Sequence, residues 1–151
     1  MKIEETFQVD APVERVWQFI TDPNEVGPCV PGCQGIEITG PNTYKTKIKI
    51  SVGPISASFS LDVEKTEEQP PHYAASISRG EEGGRASTVT AHSILKLSAN
   101  DLGGTDVYYA SEFSVVGRLG KFGMGIMAKK AKSLGAEFAQ AFRHRVEAAR
   151  P

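Results

Sequence analysis

Three histidines and two cysteines are the side chains here with the widest chemical range, and none has a companion at the spacing that chemistry needs. His72 follows Pro70-Pro71 at an expected turn, His92 falls mid-strand, and His144 lies on the terminal helix. No pair has metal-ligand spacing and no His-Glu-x-x-His run is present, so each reads as an exposed or singly hydrogen-bonded imidazole. Cys29 and Cys33, with Pro31-Gly32 between them, could form half a zinc site, but no second Cys or His pair stands nearby. The spacing is not the Cys-x-x-Cys of thiol oxidoreductases, and a tight turn against the core is the expected role. Gly117, Gly120, Gly123 and Gly125 lead into a helix, whose first amides could hold phosphate. Their spacing fits neither the P-loop nor the dinucleotide fingerprint, and no βαβ unit contains them. Close helix–sheet contact, or a mobile gate into a cavity, is the better expectation. No Gly-x-Ser-x-Gly elbow occurs, and Glu67-Glu68 and Glu81-Glu82 are expected to be solvated in turns. No catalytic residue, metal ligand or cofactor is assigned, and the expectation is a protein that is not an enzyme.

The elements around these residues follow from periodicity. Lys2 to Val9 reads as a short strand, and Asp10 and Pro12 then start a helix. Val13, Val16, Trp17 and Ile20 fall at i, i+3, i+4 and i+7, one stripe facing a core. Asp22 caps a second helix, with Pro23 in its first turn and Glu25 placed to complete a capping box. Gly27, Pro28, Pro31 and Gly32 keep that helix short.

Strand alternation follows. Tyr44, Thr46, Ile48 and Ile50 alternate with Lys45, Lys47 and Lys49. After Gly53-Pro54, Ile55, Ala57, Phe59, Leu61 and Val63 alternate with polar residues, predicting a hairpin with the preceding strand. Further strands are expected through Tyr73–Ile77, near 86–98 and near 105–116, with turns at 67–71 and 100–104 and a loop at 81–84. The last helix is expected from about Gly120 to Ala148, with Phe122, Ile126, Leu134, Phe138, Phe142 and Val146 at helical spacing. The element order is β-α-α-β-β-β-β-β-β-α. It predicts an α+β fold in which a curved antiparallel sheet wraps a long C-terminal helix, as one domain over 1–151.

At 151 residues with 40% hydrophobic and 23% charged residues, the chain is an ordinary globular domain. No apolar run approaches membrane-spanning length, and the N-terminus lacks a signal-peptide pattern, so a cytoplasmic location is expected. Charge is uneven. From Gly117 onward eight basic residues face two acids, whereas residues 1–116 hold nine basic and sixteen acidic groups. Arg118, Lys121, Lys129, Lys130 and Lys132 would form either a solvated helix face or a docking surface for an anionic membrane or acidic protein. The basic helix lacks interleaved exposed aromatics, which disfavours nucleic acid.

Three stretches carry a family resemblance: Val16 to Pro23 leading to Cys29-Val30-Pro31-Gly32-Cys33, Lys49 to Phe59, and the Gly117–Gly125 run leading into Lys129-Lys130. In this order they resemble the CoxG family of carbon monoxide dehydrogenase subunits, a branch of the START-like (SRPBCC) superfamily. The resemblance implies a helix-grip fold with an apolar cavity. It also implies association with molybdenum-containing carbon monoxide dehydrogenases or related hydroxylases, attachment of these to the membrane and, for some members, quinone binding. Some members carry a further C-terminal tail. The sequence here runs to Pro151, so transient contact through the basic helix, peripheral at the inner face of the cell membrane, is the expectation.

On that reading Ile48, Ile50, Phe59, Leu61, Tyr109, Ile126, Leu134, Phe138 and Phe142 would line the interior, with Met124 and Met127 as flexible walls. Tyr44, Tyr73, Tyr109 or Ser111 could bond a quinone head. The expected function is a quinone or lipid carrier serving the dehydrogenase. The alternatives are an interaction module that recruits the enzyme without ligand transfer, and a polyketide cyclase/dehydratase-like enzyme with His92 as the residue to test.

Overall fold

The computed structural model of the chain describes residues 2–122 and 124–148 and, within them, every side chain except Arg85, Lys121, Phe122 and Met124. The expectations placed on the Met124 and Lys121 side chains therefore lie outside the described residues.

β1 (Lys2–Val9) is followed by α1 (Val13–Ile20) and α2 (Pro23–Val26). Six strands come next: β2 (Cys33–Gly40), β3 (Thr43–Val52), β4 (Ile55–Gln69), β5 (Tyr73–Glu82), β6 (Ser87–Ala99) and β7 (Thr105–Gly117). A 3₁₀ turn, Leu119–Phe122, leads into α3 (Met124–Ala148). One antiparallel sheet of seven strands has the order β1-β7-β6-β5-β4-β3-β2. β2 is the strand whose bounds the alternation did not give. Glu81 and Glu82 end β5 rather than lying in a loop.

Local chemistry explains the turns. Gly53 adopts φ +57°, which lets β3 and β4 turn tightly into each other. The Asp22 carboxylate accepts from the Asn24 amide at 3.0 Å and caps α2. Glu25 completes no capping box. Its carboxylate turns to Arg145 of α3, 3.1 Å away, because that guanidinium offers a charged partner.

α3 lies in the concavity of the sheet. Its C-terminal half is fastened to β1 and the loop that follows: Arg143 Nε donates to the Gln8 carbonyl at 2.7 Å, and Glu147 accepts from the Asp10 amide at 2.9 Å. Beneath these bonds lies the first core, where Phe7, Val9, Val16, Val107, Phe142 and Val146 pack together. Phe142 meets Phe7 edge-on, with centroids 6.3 Å apart, and stacks on Phe138 at 5.7 Å. A second core of Val52, Ala57, Phe59, Leu119 and Met127 lies at the other end of the sheet.

Candidate functional site

The two cores do not meet. Between them, under the N-terminal half of α3, lies a cavity of about 500 Å³. That volume is in the range of small-molecule sites. Ile48 and Ile50 of β3 and Phe59 and Leu61 of β4 line it from the inward positions of their alternation, and Tyr109 of β7 lines it too. α3 contributes Met127, Ala131, Leu134 and Phe138, a stripe at helical spacing. Two expected residues fall elsewhere. Phe142 is fully buried in the first core, one turn beyond the end of the wall. Ile126 is 51% exposed, because Met127, one residue later on the helix, takes the inward position. α2 and the turn before β2 add Pro23, Val26, Val30 and Pro31 to the wall, a contribution the strand and helix periodicities do not show.

Polar groups interrupt this apolar lining. Tyr44, Tyr109 and Ser111 face the cavity, and Tyr73 does not line it. Ser76, Ser78 and Ser93 also line it, and Ser93 Oγ donates to Ser111 Oγ at 3.1 Å. Burial pushes the Tyr44 phenol above its ordinary pKa, with Tyr109 and Cys33 adding to the effect, so it stays a neutral hydroxyl. The charged part of the wall is Glu5, Lys65, Glu68 and Lys130. Lys65 Nζ donates to the Thr21 carbonyl at 2.7 Å and ties the α1 end to the sheet. Gly135 gives Glu5 room, since a Cβ there would come within 2.9 Å of Glu5 Cγ.

The basic surface divides into parts. Lys129 and Lys132 are exposed, whereas Lys130 is half-buried on the cavity wall. Arg118 forms an ion pair with Glu82, a carboxylate only 6% exposed, which replaces the expected solvated Glu82 with a buried, paired one. The Arg118 hydrogen bond holds the Glu82 carboxyl below its ordinary pKa against the opposing effect of burial, with Ser87 as a second donor. Gly117 and Gly120 give this corner its close packing. Gly117 has φ +104°, and a Cβ at Gly120 would lie 2.6 Å from the Val115 carbonyl.

The remaining chemical candidates are dispersed. His92 is exposed on the outer face of the sheet and His144 on α3, and His72 Nδ1 lies 3.1 Å from the Leu97 carbonyl. Cys29 is buried, and that burial raises its thiol pKa. Cys33 lies 3.4 Å from the Thr46 hydroxyl. Among the described residues no group of three or more His, Cys, Asp or Glu could hold a metal ion, and no helix is long and apolar enough to cross a membrane.

Solved structures share this architecture. A conserved protein from Geobacillus kaustophilus superposes with a TM-score of 0.89 at 23% identity, covering 99% of this chain and 97% of that one. A START superfamily protein from Mycobacterium smegmatis gives 0.76 at 14% identity, with 99% of each chain covered. The ZhuI aromatase/cyclase from Streptomyces sp. R1128 gives 0.72 at 13% identity, over 97% of this chain and 93% of that one. At such identities the likeness establishes the START-like helix-grip fold and nothing of the chemistry. No curated protein sequence matches the chain. The profile of the carbon monoxide dehydrogenase CoxG subunit matches residues 6–147, nearly the whole helix-grip domain, and the chain belongs to that family.

Proposed function

We propose that this protein is a carrier for a hydrophobic ligand, a quinone or a related lipid, and serves a molybdenum hydroxylase of the carbon monoxide dehydrogenase type at the cytoplasmic face of the membrane. The observation that carries the reading is the 500 Å³ cavity between two well-packed cores. A domain of this size can fill its interior, and empty apolar volume lowers stability, so a large cavity needs a reason. Ile48, Ile50, Phe59, Leu61, Met127, Leu134 and Phe138 would hold an apolar chain, at roughly 25 cal/mol for each Å² removed from water. Family membership supports the partner. Exposed Lys129 and Lys132, close in sequence to the exposed Ile126, would supply reversible contact with an anionic bilayer.

Native mass spectrometry of protein purified from its own host, with organic extraction of whatever is bound, tests this. A stoichiometric quinone or acyl lipid is the expected result. A bare mass that stays unchanged after incubation with quinone-containing vesicles would instead favour a module that recruits the dehydrogenase without carrying ligand.

A further inference from the structure

The polar groups of the cavity are not scattered. Strand register places Ser76 of β5 opposite Ser93 of β6, and Ser93 opposite Ser111 of β7, so the three serines form one row across three adjacent strands. All three line the cavity. Tyr109 precedes Ser111 by two residues and shares its face, and Tyr44 of β3 lines the same cavity. The apolar cores bracket this row. On β6, Leu95 belongs to the first core and Val89 packs on the second. On β7, Val107 and Val115 do the same.

From this juxtaposition we infer that the row Ser76–Ser93–Ser111, with Tyr44 and Tyr109, is a hydroxyl band that holds the oxygens of the ligand head and accepts its oxidised and reduced forms alike. The inference rests on the carrier reading and specifies its headgroup. A serine hydroxyl donates one hydrogen bond and accepts two, and its hydrogen rotates to suit the partner. Ser93 spends its proton on Ser111, which leaves the Ser111 proton available to a carbonyl and lone pairs of both available to a phenol. Lysine or arginine, which only donate, would favour the carbonyl form. Lys65, next to Ser76 in the same cross-strand row, gives one of its three ammonium hydrogens to the Thr21 carbonyl, and Lys130 reaches the wall from α3, so the row between them is where donors and acceptors are both on offer. A carrier that picks up one form and returns the other needs such indifference, because a site selective for one form would retain it.

The test measures binding of decylubiquinone and, anaerobically, of its quinol to the full chain and to the Ser93→Ala/Ser111→Ala variant, with diphenylhexatriene as a hydrocarbon probe that has no oxygen. Wild type should bind the two decyl compounds within roughly threefold of each other. The variant should lose about tenfold for both while keeping its affinity for diphenylhexatriene. Unchanged affinity of the variant for both decyl compounds overturns the band and leaves the carrier reading standing. A wild-type preference of roughly thirtyfold or more for one form overturns the indifference. Failure of wild type to bind any of the three probes overturns the carrier reading and the band with it. The unchanged melting temperature expected of the variant separates lost recognition from lost fold.

Discussion

The two halves of α3 meet the same sheet in opposite ways. The C-terminal half presents Phe138, Phe142 and Val146 to Phe7, Val9 and Val107, and leaves no gap at Phe142. The N-terminal half packs Met127 against Phe59 in the second core, but between the two cores it presents Ala131 and Leu134 to the cavity. Both use the same helical stripe, so periodicity alone does not distinguish a packed interface from a hollow one. The difference lies in what the sheet offers. Opposite the hollow half, the inward positions of β5 and β6 are small: Ser76 and Ser78 on one strand, Ala91 and Ser93 on the other. The packed half is built for stability and the hollow half gives some stability up.

This contrast can be broken by mutation, and the largest effect belongs to the packed half. Phe142→Ala should cost about 3–5 kcal/mol in chemical denaturation, as for other buried aromatics, with Leu134→Ala costing well under half as much. Equal costs would erase the distinction between the halves. A smaller effect of opposite sign is expected in the cavity. Ala91→Leu fills space the native chain leaves open and should stabilise the ligand-free protein by about 0.5–2 kcal/mol, as cavity-filling substitutions do, while displacing bound ligand in native mass spectra. Destabilisation would mean that the cavity wall is packed as tightly as the core.

The smallest effect is local and depends on pH. The folded Glu82 carboxyl titrates below its ordinary value of 4.5. Its contribution is therefore complete above that value and fades as pH falls through the folded pKa. Acidification should lower amide protection factors, taken against the intrinsic exchange rate at each pH, at 86–90 and 115–119 before it does so in α1 or β1. Simultaneous loss at both ends would show that the Arg118 corner has no independent opening.

Much of this was legible in the sequence because it is local. The alternation of Ile55 to Val63 and the stripe Val13, Val16, Trp17 and Ile20 repeat the periods of strand and helix, and the structure keeps both. The bounds of β2 do not show in the sequence because its burial does not alternate. Ile38 is 55% exposed, and the strand forms an edge with register shifts near Gly35 and Gly40. The burial of Glu82 does not show in the local sequence because it depends on Arg118, 36 positions later. The serine row was invisible for a similar reason. Ser76, Ser93 and Ser111 are ordinary one at a time, and only strand register brings them side by side. Ser76 and Ser78, with Ala74 before them and Gly80 after, were the available hint: a strand face too small to fill a core.

β1 leaves the ribosome before the other strands, yet its one sheet neighbour is β7, and the Thr105 hydroxyl reaches the Ala11 carbonyl across 94 positions. Its other support, through Arg143 and Glu147, comes from the last turns of α3. The earliest strand therefore waits for nearly the whole domain, and loop closure over such a span is slow to be rewarded. During that wait strands β2 to β6 can form hairpins with their neighbours, but their concave face has no helix to cover it. The nascent chain passes through an open, apolar-lined trough before α3 arrives to complete the fold and roof the cavity.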